Sequence, residues 1–217
     1  MIRLRNVSKA YPTRRGPVTI FDRVNLEVPH GHRVGILGRN GAGKSTMIRL
    51  ISGAELPTSG RIEREMSVSW PLAFGGAFQP SLTGLDNFRC ICRIYGVDWE
   101  DKVPFVEEFS ELGSYLKEPL RAYSAGMRAR LAFAISMVAE FDCFLIDELV
   151  AVGDARFQEK CRRELFEKRG DRAMIIVSHD RNLVRELCQT AVVLAGARLH
   201  HFDSIEHAYD YYGEHFQ

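Results

Sequence analysis

No stretch of the sequence approaches the roughly 18 consecutive apolar residues that a membrane-spanning helix needs. The first residues, Met1-Ile2-Arg3-Leu4-Arg5, lack the apolar core of a secretory signal. The expectation is a chain made and kept in the cytosol, which meets a membrane only through a partner. Cysteine is sparse: Cys90, Cys92, Cys143, Cys161 and Cys188 make an odd, scattered set of five. Cys90 and Cys92 have the spacing of half a metal site, but no second pair follows, so reduced structural thiols are expected. Neither sign of charge is in excess. The chain carries 29 basic and 28 acidic residues, whereas a nucleic-acid binder shows a clear basic surplus. Internal repeats, low-complexity stretches, heptad runs and a basic tail are absent from the sequence.

What is present reads as a globular chain. Its 217 residues, 46% of them hydrophobic, suit one domain carrying a small subdomain and are enough to bury a sizeable core. The N-terminal part alternates in the manner of strands. Ile2, Leu4 and Val7 begin one run, Thr19 to Val28 form another, and Arg14-Arg15-Gly16-Pro17 reads as the turn between them. Arg33-Val34-Gly35-Ile36-Leu37 is a short apolar strand. Met47, Ile48, Leu50 and Ile51 then repeat at helical spacing, and Gly53 and Pro57 end that helix. Helical patches at Asp86–Tyr95 and Val103–Leu112 predict a helical insert over about residues 85–135. Cys143-Phe144-Leu145-Ile146 and Met174-Ile175-Ile176-Val177 are continuous apolar runs, as strands of a parallel sheet buried on both faces require. The expected fold is α/β: a mostly parallel core sheet, an N-terminal antiparallel β subdomain and a helical insert.

Gly38-Arg39-Asn40-Gly41-Ala42-Gly43-Lys44-Ser45 matches the phosphate-loop pattern G-x-x-x-x-G-K-[ST] at every fixed position, between a strand and a helix. Glycines let the backbone curl so that successive N–H groups face phosphate oxygens, and the following helix adds its positive end. Lys44 then neutralises the β- and γ-phosphates of ATP. Ser45 is expected to bind Mg²⁺ through its hydroxyl, and Thr46 to donate to another phosphate oxygen. Downstream, the buried run at Cys143–Ile146 ends in Asp147-Glu148. Carboxylates at the end of a buried strand are costly unless used, and strand C-termini are where open α/β sheets hold ligands. Asp147 is the expected Mg²⁺ partner, and Glu148 the residue that orients or deprotonates the attacking water. A second buried strand ends at Ser178-His179-Asp180, which makes His179 a donor to the γ-phosphate or its water.

With these residues in place, the chain resembles the nucleotide-binding subunit of an ABC transporter from Leu4 to about His201. The resemblance rests most on Tyr123-Ser124-Ala125-Gly126-Met127-Arg128-Ala129-Arg130, which is similar to the signature usually written LSGGQ. Ser124 and Gly126 match it, whereas Tyr123, Ala125 and Met127 depart from the commonest form. The resemblance implies a P-loop NTPase fold in which Ser124, Ala125, Gly126 and Met127 face the ATP of a second copy, in a head-to-tail homodimer. It further implies that Tyr11 stacks on adenine, that Asp154 contacts the other subunit, and that His179 is the switch histidine. Gln79 lies in the region of the family's coupling glutamine. Counted back from Leu82-Thr83-Gly84 it sits a few residues late, and Gln79 and Phe74 both stand as occupants of that place.

Asp147-Glu148-Leu149-Val150-Ala151-Val152-Gly153-Asp154 is similar to the D-E-x-x-A-V-G-D form of the polysaccharide-exporting branch. Ala155-Arg156-Phe157-Gln158-Glu159-Lys160-Cys161 and Ser67-Val68-Ser69-Trp70-Pro71-Leu72 also resemble that branch. O-antigen exporters often add a carbohydrate-binding domain, for which a chain stopping at Gln217 leaves no room, so the capsular polysaccharide export subunit is the better match. This implies two integral-membrane permease subunits, a wider capsule export assembly and a peripheral place on the cytoplasmic face of the inner membrane. The resemblance also keeps open an ATPase exporting O-antigen, teichoic acid or a drug. A soluble ABC ATPase acting on nucleic acid or the ribosome is disfavoured by the single cassette. A non-catalytic sensor is disfavoured by Glu148 and His179.

Overall fold

The computed structural model describes residues 1–72, 78–147, 154–178 and 181–216. In chain order its elements are β1 (Ile2–Tyr11), β2 (Val18–Val28), β3 (Arg33–Leu37), α1 (Lys44–Ser52), β4 (Ser59–Arg64), β5 (Val68–Pro71), α2 (Gly84–Tyr95) and α3 (Val103–Ser110). There follow α4 (Ala125–Ser136), β6 (Cys143–Asp147), α5 (Ala155–Arg162), β7 (Ala173–Val177), α6 (Arg181–Leu187), β8 (Thr190–Ala195), β9 (Arg198–Phe202) and α7 (Ile205–Phe216). They divide into two units. One comprises Met1–Pro71, Phe141–Leu149 and Asp171–Gln217; the other comprises Leu72–Glu140 and Val150–Gly170.

The first unit holds every named strand. Its antiparallel sheet has the order β2-β1-β4. Period-two alternation drives Ile2 and Leu4 inward, while Arg3 stays outside to pair with Glu27 (2.9 Å) and Glu63 (3.6 Å). The larger sheet has the order β5-β6-β7-β3-β8-β9 and is parallel throughout except for β9, which runs antiparallel to β8. β7 is buried along its whole length, as are Cys143 to Ile146 of β6, which is why their sequences are unbroken apolar runs. Phe21, Leu4, Ile36, Met47, Leu145, Ile175 and Val192 belong to one core cluster that joins both sheets to α1. α1 ends where expected, at Gly53, whose left-handed φ of 82° closes the helix with an N–H to Leu50 O.

Among the described residues the second unit contains no named strand. Phe109 is its hub, stacked on Phe105 (5.4 Å) and Phe133 (5.7 Å) and edge-on to Phe157 (5.6 Å). α5 therefore groups with the insert through its buried Phe157 and Cys161. The continuation of α5 is a π-helical turn at Arg163–Glu167.

Candidate functional site

The loop between β3 and α1 is shaped by glycines at close approaches. A Cβ on Gly38 would stand 2.9 Å from Leu194 O, and one on Gly43 would collide with Ile20 Cγ2. Gly43 also takes a φ of 106°, which side-chain-bearing residues avoid, and it serves as the N-cap of α1 with no side-chain bond to the helix. The first N–H groups of α1 have no partner within the helix and add to its positive end. Lys44 is only 8% exposed, and its Nζ donates to Gly38 O (2.7 Å) and Arg39 O (3.1 Å). The loop thus curls round a buried ammonium, and Lys44 and the start of α1 line one hollow. Such a hollow suits polyanionic oxygen.

That hollow has a volume of about 510 Å³ and is lined by Ile20, Asn40, Gly41, Gly43, Lys44, Ser45, Thr46 and Asp147. The sheet accounts for the presence of Asp147. β6 and β3 flank β7 and end level with it, so the last residue of β6 arrives at the same edge as the loop. A carboxylate and a serine hydroxyl are hard oxygen donors, which fits Mg²⁺. No group of three or more His, Cys, Asp or Glu side chains among the described residues could hold a metal. Mg²⁺ commonly keeps waters and takes substrate phosphate oxygens beside one or two protein oxygens, and Ser45 and Asp147 are two such donors.

The structure brings Asn40, Gly41, Gly43, Lys44, Ser45, Thr46 and Asp147 of the expected set round the cavity. Gly38, Arg39 and Ala42 complete the loop, with Ala42 N–H donating to Arg39 O at 3.1 Å. Glu148, His179 and Phe74 lie outside the described residues. Ile20 is the lining residue that sequence reasoning missed; nothing in the strand pattern of β2 marks it. Tyr11 is not among the lining residues. It sits at the end of β1, where its hydroxyl donates to Glu55 (2.7 Å) and Lys9 Nζ stands 4.9 Å over its ring.

The signature residues belong to the helical unit. Ser124 is the N-cap of α4 and accepts from Met127 N–H at 3.2 Å. Ser124, Ala125 and Gly126 are exposed and Met127 is half-buried, so the start of α4 is a polar, accessible turn. Tyr123 is buried and donates to Tyr115 O; burial pushes its phenol up to about 12. It fills the space that Gly84 leaves open, since a Cβ on Gly84 would strike the Tyr123 hydroxyl. Asp154 is the N-cap of α5. It accepts from Phe157 N–H at 2.9 Å and pairs with Arg130 at 3.2 Å, and these partners hold its carboxyl below the usual range. Gln79 is exposed, and its backbone is clamped by the buried Asn87, which accepts from Gln79 N–H (2.8 Å) and donates to Gln79 O (3.1 Å). Burial pushes the Cys143, Cys161 and Cys188 thiols up to about 12.

A family model described as ABC transporter matches residues 21–151. The chain belongs to the ABC transporter family. It is 59% identical over 214 residues to the ATP-binding protein BexA of Haemophilus influenzae, covering 99% of each chain. It is 57% identical over 212 residues to the capsule polysaccharide export ATP-binding protein CtrD of Neisseria meningitidis serogroup B, covering 98% of each. Among solved structures, the dimeric ATP-binding cassette MJ0796 bound to ADP and Pi superposes with a TM-score of 0.77. That comparison is at 22% identity and covers 92% of this chain and 96% of the cassette, so it speaks for the fold. No helix among the described residues is long and apolar enough to cross a membrane.

Proposed function

We propose that this chain is the ATP-hydrolysing subunit of an ABC exporter that powers outward movement of capsular polysaccharide across the inner membrane. The observation that carries this reading is the 57% identity to CtrD along nearly the whole of both chains, joined to an intact phosphate-loop cavity. ATP lies with its phosphates against the loop. Lys44 neutralises the β- and γ-phosphates, and Ser45 and Asp147 would hold Mg²⁺, which when bound would supply further positive charge to the phosphates. Glu148 orients or deprotonates the attacking water, and His179 donates to the γ-phosphate or its water. Phosphoryl transfer asks for positioning and electrostatics more than covalent chemistry, and a preorganised loop supplies both.

The exposed start of α4 takes the γ-phosphate of a second copy through Ser124 and Gly126, in a head-to-tail homodimer. That the solved cassette MJ0796 is dimeric supports this arrangement. The pair works on two integral-membrane permease subunits from the cytoplasmic face, within a wider capsule export assembly. Gln79 is the candidate coupling residue.

The test is Glu148→Gln. The variant should bind ATP, hydrolyse it very slowly, and accumulate as a dimer when ATP is present. In cells carrying only Lys44→Ala, polysaccharide should be missing from the surface; normal surface polysaccharide in that strain would refute the export assignment.

A further inference from the structure

Arg49 lies one turn along α1 from Thr46, outside the lining of the cavity, yet it links that lining to Tyr11. Its Nη2 donates to Thr46 Oγ1 (3.0 Å) and to the Tyr11 hydroxyl oxygen (3.4 Å), and its Nε donates to Glu55 Oε2 (3.4 Å). Glu55 accepts from Tyr11 at 2.7 Å, and its other carboxylate oxygen lies 3.8 Å from Lys9 Nζ. Burial, which by itself raises the Glu55 pKa, is outweighed by the hydrogen bonds from Tyr11 and Arg49 and by the Lys9 and Arg49 charges, so this carboxyl titrates below its ordinary range.

The protons in this chain can be assigned. Tyr11 has one hydroxyl hydrogen, and it goes to Glu55, so the same oxygen is left to accept from Arg49. Thr46 also has one hydroxyl hydrogen. Its oxygen accepts from Arg49, which can only donate, so the hydrogen of Thr46 is left for a different acceptor. Thr46 is 7% exposed and lines the cavity. A guanidinium behind such a hydroxyl polarises it as a donor.

We propose that Arg49 is a positioning residue for the nucleotide: it sets the Thr46 hydroxyl as a donor to a phosphate oxygen while, with Glu55, it fixes the side chain of Tyr11, the residue that the family resemblance sets against the base. The inference rests on the ATP reading above and adds a physical link between the base end and the phosphate end of the site. Arginine suits this place better than lysine, because one planar fork serves Thr46, Tyr11 and Glu55 together.

The test is a binding cycle on the purified full-length chain, with ATP as the probe. Arg49→Met should weaken ATP binding about tenfold, the order expected for one charge-assisted hydrogen bond. In a Thr46→Ala background the same change should cost about twofold or less, since coupled residues are not additive. Inorganic triphosphate, which has no base, should show the Arg49→Met loss but no effect of Tyr11→Phe. Equal losses from Arg49→Met in both Thr46 backgrounds, or none in either, would overturn the inference. If Arg49→Met does not fold, Arg49→Lys replaces it with the same coupling expected. A wild-type chain that ignores ATP, or a Lys44→Ala chain that binds it normally, would bring down the ATP reading and this inference together. Loss of binding in Lys44→Ala with no Arg49–Thr46 coupling would remove this inference alone.

Discussion

Ile36 and Asp147 pair in register with the same residue, Val177, from its two sides. The strand that launches the phosphate loop and the strand that delivers the acid therefore end at one level, with β7 between them. Carboxylate, loop and helix start meet at the C-terminal edge of the sheet, where open α/β sheets take ligands.

Asp147→Asn tests the metal assignment. It keeps the shape and removes the charge. Nucleotide binding without Mg²⁺ should be retained, and apparent Mg²⁺ affinity during hydrolysis should fall by at least about 10–100-fold, the loss typical when even an outer-shell partner of a metal is removed. A Mg²⁺ titration of ATPase activity measures it.

Gly43→Ala should damage the loop by two routes. The residue holds a φ of 106°, and the new methyl would meet Ile20 Cγ2 and Phe21 Cε1. Left-handed strain on a side-chain-bearing residue costs about 1–3 kcal/mol. We expect a lower melting temperature together with loss of ATP binding, read by thermal denaturation and calorimetric titration.

The buried runs of β6 and β7 were legible because strands covered on both faces leave no polar positions. The phosphate loop was legible because its chemistry is local, held within the eight residues from Gly38 to Ser45. β4, with the sequence Ser-Gly-Arg-Ile-Glu-Arg, has too little apolar alternation to announce a strand. It forms through pairing with β1, and Arg64 docks on the end of α1 by donating to Ile51 O at 2.7 Å. β9 and α7, rich in histidine and tyrosine, were hidden for a similar reason. At the site, Ile20 was out of reach because its role depends on the packing of Gly43 against a distant strand. The Tyr11–Glu55 bond, spanning 44 residues, is likewise set by tertiary structure.

Ser124→Ala separates two roles of one side chain. As an exposed N-cap it contributes about 1 kcal/mol to stability. As a γ-phosphate ligand for the partner it should matter far more to activity. The melting temperature should drop slightly, while ATP-dependent dimer formation, followed by light scattering, should fall sharply. A proportionate small loss in both would leave Ser124 as a cap alone.

Glu164 predicts an acid sensitivity. Its carboxylate is buried between Lys168 and Arg169, each at 2.7 Å. Burial raises its pKa, but the hydrogen bonds from Lys168 and Arg169 outweigh this and lower it overall. A carboxyl with a depressed folded pKa contributes its full stability above the unfolded value and loses it as pH falls through the folded one. Glu164→Gln should cost about 1–3 kcal/mol at neutral pH, because Arg169 stays buried with a weakened partner while the exposed Lys168 returns to water. It should also flatten the decline of melting temperature below the ordinary glutamate range.

The phosphate loop belongs to one unit of the chain and the Ser124 cap to the other. In a head-to-tail pair, a lesion in the loop and a lesion in the signature damage the same nucleotide site only when they sit on different chains. A mixture of Lys44→Ala and Ser124→Ala chains would therefore assemble some pairs with both lesions gathered in one site and the other site untouched. Two alleles, each disabled on its own, would then restore part of one another's ATPase activity. Genetics could thus report that each nucleotide site is shared between two chains without any view of the dimer.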